Sequence, residues 1–397
     1  MGKSGPCFWQ TFENGDEIMR EIYLDNSATT AVSPEAAALA LHIMTEEYGN
    51  PSSLHRRGFL AERAMTEARG QVAAVLHCRP EEIIFTAGGT ESNNIALLGA
   101  ARAMKRRGNR IVTTAVEHHA VLNCCQQLEQ EGWEVTTILP DQNGDISAEA
   151  VLSAVRPDTA LVSVMMVNNE LGSIYPIADI AKGLKAVNEK TLLHTDAVQG
   201  FLKVPFSAKA LGADFIAISG HKVGAPKGIG ALYIGPRVRN PRPLLPGGGQ
   251  EMGLRSGTEA TAQIAGFAKA VELRWDHLED KLHHMAEVKA YAVEKLTAIP
   301  DLQIIGSGKA PHVLSVSMAG WPSQNVVNDL GSQGICVSAG SACHHGKSSQ
   351  VVSALGLPKR VAAGVIRLSF GPETTFAEID ACAEALRNHH DHRMPML

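Results

Sequence analysis

F-I-A-I-S-G-H-K, from Phe215 to Lys222, joins a short apolar run to four small or polar residues. The apolar half is typical of a buried strand, and it stops abruptly at Ser219. A hydroxyl, a glycine, an imidazole and an amine at a strand end pack poorly in a core. They suit a site that binds an anion and offers an amine to a carbonyl group. A surface lysine after a strand gives the same pattern, so the other segments of the chain have to decide between these readings.

The overall composition is that of an ordinary soluble globular protein, with 45% hydrophobic and 19% charged residues. A length of 397 residues predicts two domains. The formal charge of −5 argues against a nucleic-acid partner held by a general basic field. We expect no membrane segment, because no uncharged apolar run approaches about 20 residues. The acidic N-terminal stretch does not resemble a signal or transit peptide, so we expect a cytoplasmic protein.

The seven cysteines do not suggest a disulfide framework, because their number is odd and the chain is large. They form no paired C-x-x-C pattern, and we predict no metal site. We expect the histidines near the C-terminus, His389, His390 and His392, to belong to a frayed tail rather than to a metal centre.

Short β-rich runs alternate with helical stretches between residues 83 and 218. The predicted strands cover 83–85, 111–114, 135–139, 161–167, 192–195 and 215–218, and the helices between them include 92–107, 119–131, 148–155 and 177–188. This alternation predicts an α/β fold with a largely parallel sheet covered by helices on both faces. Residues 230–234 would add a further, antiparallel strand. Ser33 followed by Pro34 predicts the start of a helix before this region.

The pattern changes after residue 260. Residues 261–299 predict one or two long helices, followed by strands at 313–318 and 365–369, a loop at 338–350 between them and a last helix near 376–388. We therefore expect a large domain of residues 33–275. Residues 1–32 and 276–397 would together form a smaller, discontinuous α/β domain that carries the 338–350 loop.

Polar residues follow five of the predicted strands. In an open parallel sheet, ligands bind beyond the carboxyl ends of the strands. Each cluster suits one part of a phosphorylated, planar cofactor. Three of them equally suit ordinary structure, namely a tight turn at Gly88-Gly89, a helix-cap histidine at His118-His119 and a turn at Asn168-Asn169. The clusters are Gly88-Gly89-Thr90 for a phosphate, Glu117-His118-His119 for stacking, Asn168-Asn169 for hydrogen bonds, Asp196 with Gln199 for a charged ring, and Ser219 to Lys222 for an amine. A buried Asp196 needs a cationic partner, and a protonated pyridine nitrogen is one. Lys222 is therefore predicted to carry pyridoxal phosphate as a Schiff base.

Taken in order, the motifs resemble those of one enzyme family. They are Y-L-D-N-S-A-T-T, G-N-P-S-S, T-A-G-G-T-E-S-N-N, V-E-H-H-A-V, V-N-N-E-L-G, H-T-D-A-V-Q, S-G-H-K, G-G-G-Q-E, R-S-G-T and S-A-G-S-A-C. The set looks like the cysteine desulfurases, and most like the NifS/IscS group of the class V aminotransferase superfamily. The resemblance implies fold-type I of the pyridoxal phosphate enzymes, with a mostly parallel seven-stranded sheet in the large domain. It also implies a homodimer with the cofactor near the subunit interface.

The resemblance implies a role for each matching residue. Lys222 resembles the Schiff-base lysine, His118 the stacking histidine and Asp196 the partner of the ring nitrogen. Gln199 resembles the residue that bonds the phenolic oxygen. The phosphate cradle of the family corresponds to Gly89, Thr90, Ser219 and His221, together with Thr258 from the other subunit. The pair that binds the substrate carboxylate corresponds to Asn169 and Arg367.

Cys343 resembles the nucleophile of the family, and its surroundings agree. The segment S-A-G-S-A-C-H-H-G-K-S-S-Q is small and polar, with no apolar period that would bury a side chain. His344, His345 and Lys347 would favour the thiolate. The implied reaction takes sulfur from L-cysteine, leaves a persulfide on Cys343 and releases L-alanine. The sulfur would pass to an acceptor protein in iron–sulfur cluster assembly or in thiolation of tRNA or DNA.

Three alternatives stay open at this point. Selenocysteine lyase shares the scaffold and a Cys-His pair in the loop, and turnover of the two amino acids would separate it. A plain transaminase has no use for a mobile cysteine and would transfer its amino group to a keto acid. A sulfur-protein scaffold without catalytic activity predicts a colourless protein, whereas a pyridoxal phosphate enzyme is yellow.

Overall fold

The computed structural model describes residues 21–339 and 349–392. Its strands are β1 (Ile22–Tyr23), β2 (Ile83–Thr86), β3 (Arg110–Thr114), β4 (Glu134–Ile138), β5 (Thr159–Ser163), β6 (Leu192–Asp196), β7 (Phe215–Ser219), β8 (Gly230–Ile234), β9 (Leu302–Ile304), β10 (Val313–Met318), β11 (Ile335–Cys336), β12 (Ser338–Ala339) and β13 (Val365–Ser369).

The α-helices mostly lie between these strands. They are α1 (Pro34–Thr45), α2 (Arg56–Leu76), α3 (Gly89–Met104), α4 (His119–Gln130), α5 (Ala148–Ser153), α6 (Ile177–Val187), α7 (Ala208–Leu211), α8 (Thr261–Trp275), α9 (Leu278–Thr297), α10 (Ser323–Ser332), α11 (Gln350–Ala354), α12 (Lys359–Ala363) and α13 (Phe376–His392). Helix α1 begins at Pro34 after Ser33, as predicted. Among the residues placed by the structure, no helix is both long and apolar enough to cross a membrane.

The central sheet has seven strands in the order β2-β8-β7-β6-β5-β3-β4. Strand β8 runs antiparallel to both of its neighbours, and the remaining strands are parallel to one another. The predicted α/β class and the antiparallel strand at 230–234 are therefore confirmed.

Strand β7 lies in the middle of this sheet and is buried on both faces. Ile216 and Ile218 join the apolar core on one face, while Phe215 and Ala217 join the core on the other. Successive side chains of a strand point to opposite faces, so a strand covered on both sides has to be continuously apolar. Burial of each large side chain contributes about 1.5–3 kcal/mol. The apolar half of F-I-A-I-S-G-H-K thus reflects the position of β7 in the sheet.

A second sheet lies in the C-terminal part of the chain, with the order β12-β13-β10-β9 and antiparallel pairing. Its own apolar core includes Val316, Leu368, Val288 of α9 and Leu386 of α13. The N-terminal segment joins this part of the chain, because Leu24 lies in the same core and β1 pairs with β11. The boundaries of 33–275 for the large domain and 1–32 with 276–397 for the small domain stay a prediction.

The strand predicted over 161–167 covers Thr159–Ser163 instead. The chain beyond Ser163 stays extended along β6, because the amides of Val164 and Met166 donate to the carbonyls of His194 and Asp196. On its other side, the register with β3 ends at Val162. Pairing on one side only explains why the apolar run is longer than the strand.

The frayed tail predicted for the C-terminal histidines is wrong over the described residues. Helix α13 continues to His392, and His389 is buried. The Nδ1 atom of His389 lies 2.8 Å from Asp329 Oδ2, which ties the end of α13 to α10. No cluster of potential metal ligands occurs in residues 21–339 and 349–392.

Candidate active site

A cavity of about 370 Å³ lies at the carboxyl ends of β2, β3, β5, β6 and β7. Parallel strands bring their carboxyl ends to one edge of the sheet, so the polar residues after each strand meet there. Of the predicted site residues, those that line this cavity are Gly89, Thr90, His118, Asn169, Asp196, Gln199, Ser219, His221, Lys222 and Arg367. Thr258 is exposed and does not line the cavity. Cys343 lies outside the described residues.

Lys222 is a partly buried amine with neutral partners. It ends the short helical turn Gly220–Lys222 after β7, and its Nζ donates to the carbonyls of Ser27 at 2.5 Å and Ala28 at 2.7 Å. Burial lowers the pKa of Lys222 to about 8, and the positive charge of Arg367 acts in the same direction. An amine with such a pKa is partly unprotonated near neutral pH, as a nucleophile and proton carrier needs to be.

Asp196 is a buried carboxylate whose hydrogen-bond donors are all neutral. Asn93 Nδ2 donates to Oδ2 at 2.6 Å, and the Val198 amide donates to Oδ1 at 3.0 Å. In the part of the chain placed by the structure, no cationic side chain lies within salt-bridge distance of Asp196, although this residue lines the cavity. A buried charge needs a partner. A cationic ring nitrogen in the cavity therefore fits the residues present.

The turn between β2 and α3 leaves room for a ligand next to the backbone. Gly88 has a φ of 145°, and a Cβ atom on Gly89 would lie 2.6 Å from Cγ2 of Val198. Helix α3 begins at Gly89, so its first amides are free to donate to an anion. Ser219 and His221 line the same cavity. Burial lowers the pKa of His221 to about 4, so this imidazole is neutral at neutral pH.

His118 combines the two roles that its sequence position left open. It is the N-cap of α4, where its Nδ1 accepts a hydrogen bond from the Ala120 amide at 3.1 Å. Its ring is exposed and lines the cavity. The cap fixes the ring at Nδ1, so a planar ligand in the cavity would meet an imidazole with few free rotamers.

Glu117 precedes His118 and lines the cavity, although it was not among the predicted site residues. Its Oε1 accepts from Thr114 Oγ1 at 2.9 Å and from the Met165 amide at 2.8 Å. Its Oε2 is buried and has no partner among the residues that the structure describes. Burial raises the pKa of Glu117 to about 8, so its carboxyl group is largely protonated at neutral pH.

We expect Glu117→Gln to change how stability depends on pH. A carboxyl whose pKa is raised on folding stabilises the protein fully below its unfolded value near 4.5, and this stabilisation is lost as the pH rises through about 8. The neutral amide lacks this dependence. As the pH rises from 5 to 8, the free energy of unfolding of Glu117→Gln should therefore increase relative to that of the wild type, by on the order of a few kcal/mol. Urea denaturation at several pH values measures the difference.

The control is Glu129→Gln, which replaces an exposed glutamate on α4. Its curve should run parallel to the wild type. A Glu117→Gln curve that also runs parallel would show that Glu117 is ionised in the folded protein.

Arg367 offers a cation for a carboxylate ligand. It is buried on β13, and its Nη2 lies 2.7 Å from Asp25 Oδ1, while Nη1 donates to the Asn169 carbonyl at 2.9 Å. Its Nε has no partner within the described ranges 21–339 and 349–392. The neighbouring amides at 168 and 169 divide the two roles that their sequence left open. Asn168 closes the turn by accepting from the Glu170 and Leu171 amides, whereas Asn169 lines the cavity.

Gln199 is held in one orientation by a buried group of donors. Its Oε1 accepts from Lys203 Nζ at 3.3 Å and lies 3.3 Å from His312 Nε2. Its Nε2 consequently points the other way and donates to the Ser27 carbonyl at 2.8 Å. The amide therefore presents a hydrogen-bond donor on the cavity side, which suits an anionic oxygen of a ligand.

A buried hydrogen bond joins Glu170 to the start of α11. The Ser349 hydroxyl donates to Oε2 of Glu170 and accepts from the Val351 and Val352 amides at the start of this helix. Strand β12 pairs with Arg367 and Ile366 of β13. Ser338, Gln350 and Val351 line the cavity, so β12 and the start of α11 both lie beside it.

Sequence reasoning missed several residues around the cavity, namely Asp25, Ser27, Ala28, Asn93 and Glu170, and it gave Glu117 no role of its own within the cluster at 117–119. Most of them contact partners more than 100 positions away, as Asn93 does with Asp196. One signal was available, because a buried aspartate requires hydrogen-bond donors as well as a cation.

Comparison with known proteins places the chain in a family. Residues 22–382 match the family model described as "Aminotransferase class-V". The chain is 43% identical over 366 residues to a cysteine desulfurase 2 of Trichormus variabilis, with 91% of each protein covered.

Two solved structures are also similar over most of the chain. A NifS-like protein is 36% identical with a TM-score of 0.89, over 94% of this chain and 100% of that one. SspA in complex with cysteine is 33% identical with a TM-score of 0.78, over 89% of this chain and 99% of that one. The chain therefore belongs to the class-V aminotransferase family, within the group that includes the cysteine desulfurases and the NifS-like proteins.

Proposed function

We propose that the protein is a cysteine desulfurase that uses pyridoxal phosphate. In the proposed reaction the thiolate of Cys343 attacks the sulfur of L-cysteine, so that an S–S bond forms and the substrate Cβ–S bond breaks. The carbon takes up a proton, and the products are L-alanine and a persulfide on Cys343. Atoms and electrons balance without an external oxidant or reductant.

One observation carries the proposal. An amine with a lowered pKa and a buried carboxylate line one cavity, beside a helix start built from glycines, and the carboxylate has no cationic partner within residues 21–339 and 349–392. Lys222 would hold the cofactor covalently, Asp196 would pair with its ring nitrogen and the start of α3 with Ser219 would hold its phosphate. When bound, pyridoxal phosphate supplies an electron sink that labilises bonds next to the substrate's amino-bearing carbon.

The remaining roles belong to side chains of the protein. Lys222 Nζ accepts and returns protons, for which a pKa of about 8 is well matched. Arg367, held by Asp25, binds the substrate carboxylate together with Asn169. His118 and Gln199, which line the cavity, would orient the cofactor ring. Cys343 is the sulfur acceptor.

The working form in this proposal is a cytoplasmic homodimer that passes its sulfur to an acceptor protein. Large apolar side chains are exposed on α1, on the loop after it and on α2, among them Leu41, Tyr48, Leu54 and Phe59. Exposed apolar groups of this size are typical of a subunit interface. Thr258 is exposed and would reach the phosphate of the second subunit.

The experiment that tests the proposal supplies the purified holoenzyme with L-cysteine and a thiol reductant. Alanine and sulfide should form in equal amounts. Transfer of the amino group to a keto acid, or a colourless inert protein, would contradict it. Selenocysteine lyase is not favoured, because the matching relative is named a cysteine desulfurase. In parallel, the Cys343→Ala variant is assayed with L-selenocysteine as the substrate. The rate shows whether Cys343 is required for turnover of L-cysteine alone or of both amino acids.

Substitution of Arg367 should raise the KM for L-cysteine. Hydrogen bonds to a charged group are worth about 1.5–3 kcal/mol, so Arg367→Met should raise KM by about 10- to 100-fold. Arg367→Lys keeps the charge but lacks the planar fork, and its effect should be smaller. Steady-state kinetics measure both variants, and an unchanged KM in Arg367→Met would remove Arg367 from the substrate site.

A further inference from the structure

A chain of buried hydrogen bonds runs behind Asp196, away from the cavity. Asn93 Nδ2 donates to Asp196 Oδ2 at 2.6 Å, and Asn93 Oδ1 lies 3.1 Å from His194 Nε2. His194 Nδ1 lies 2.8 Å from Ser163 Oγ. Of these residues only Asp196 was predicted as part of the site, and all four are at most 4% exposed.

The fold places these four groups in line. His194 and Asp196 are two positions apart on β6, so they point to the same face of the sheet. Helix α3 packs on that face and brings Asn93 between them, while Ser163 ends the neighbouring strand β5. Each group therefore stands on a regular element rather than on a loop, which fixes its position.

The charge at one end determines the direction of every hydrogen bond. A carboxylate accepts only, so the Asn93 amide has to turn its NH₂ group toward Asp196 and its oxygen toward His194. His194 must then carry its proton on Nε2, which leaves Nδ1 to accept from the Ser163 hydroxyl. Burial lowers the pKa of His194 to about 3, so the ring is neutral and both nitrogens are committed.

We propose that Ser163, His194 and Asn93 form a positioning relay that aligns the donors of Asp196 and stabilises its negative charge. The proposal rests on the proposed function, because Asp196 is there the partner of the ring nitrogen of the cofactor. Ser163 and His194 do not line the cavity, whereas Asn93 does. All three act through Asp196.

The negative charge of Asp196 affects the pKa values of two other titratable groups. Lys222 and Glu117 both interact electrostatically with Asp196. A change at Asp196 should therefore alter the pH titration of the visible absorbance of the holoenzyme, which arises where Lys222 holds the cofactor. A purely structural role of His194 would lower thermal stability without moving that titration.

The test compares four variants of the holoenzyme by absorbance titration and thermal unfolding. His194→Leu breaks the relay at its centre, and Ser163→Ala removes its last donor. His194→Gln restores a donor, because the amide NH₂ of glutamine can take the position of Nε2. Thr191→Val is the matched control, since Thr191 is buried directly before β6 and its hydroxyl donates to the Thr159 carbonyl at 2.8 Å.

His194→Leu removes the donor that holds the oxygen of the Asn93 amide, so the NH₂ group of Asn93 is no longer fixed toward Asp196. Because a hydrogen bond to a charged group is one of the stronger ones, the midpoint of the absorbance titration should move by on the order of half a pH unit or more. Ser163→Ala should move it less and in the same direction. His194→Gln should stay close to the wild type, and Thr191→Val should lose thermal stability with no shift.

Two results would overturn the relay. One is a His194→Leu midpoint equal to that of Thr191→Val, and the other is a His194→Gln midpoint shifted as far as that of His194→Leu. If His194→Leu does not fold, Ser163→Ala decides, and an unchanged midpoint rejects the proposal. A wild-type protein that shows no visible band with pyridoxal phosphate would instead reject the proposed function, so the two failures are distinguishable.

Discussion

Lys222→Ala should abolish the visible absorbance of the purified protein and lower the rate of alanine formation by on the order of 10³-fold or more. The Lys222 amine is partly unprotonated near neutral pH, because burial lowers its pKa to about 8. An alanine side chain at position 222 has no group that could hold a carbonyl compound covalently or move a proton. Absorbance spectra and alanine assays measure the two effects.

The matched control is Lys227→Ala, which removes an exposed lysine five positions further along the chain. It should keep both the absorbance and the rate. A Lys222→Ala protein that stays yellow and active would place the cofactor, or the chemistry, on another amine.

Cys343→Ser should keep the absorbance of the wild type but lose alanine formation from L-cysteine by on the order of 10³-fold or more. A hydroxyl is a far weaker nucleophile than a thiolate at neutral pH, and it cannot form the S–S bond that the reaction requires. Cys343→Ser should lose only alanine formation, whereas Lys222→Ala should lose both alanine formation and the visible absorbance. This difference distinguishes the roles of the two residues.

Cys336→Ser serves as the control for the cysteine substitution. Cys336 is half-buried on β11, and burial raises the pKa of its thiol. A thiol of this kind is a poor nucleophile, so the Cys336→Ser rate should match the wild type. If Cys336→Ser lost activity and Cys343→Ser kept it, the nucleophile would be assigned to the wrong residue.

Much of the fold and of the cavity lining could be predicted from the sequence, because both depend on local patterns. The run Phe215–Ser219 is apolar since β7 is covered on both faces, and the polar residues after it meet those of the other parallel strands at one edge. The antiparallel strand at 230–234 was also predictable from its apolar composition next to glycines.

The supporting contacts of the site could not be predicted in this way. Lys222 bonds to Ser27 and Ala28 across about half of the chain, and Arg367 pairs with Asp25 from the opposite end. Such pairs depend on where the N-terminal segment joins the rest of the chain. His389 shows the same limit, since its burial follows from α13 packing on α10, where Asp329 lies.

The most direct test of the account is mass spectrometry of the peptide that contains Cys343, after the holoenzyme has reacted with L-cysteine in the absence of reductant. We expect this peptide to gain the mass of one sulfur atom, with one alanine released for each modified chain. Peptides with the other six cysteines should stay unmodified, namely those with Cys7, Cys78, Cys124, Cys125, Cys336 and Cys382. Alanine formation with the added sulfur on another cysteine, or with none on the protein, would contradict the account.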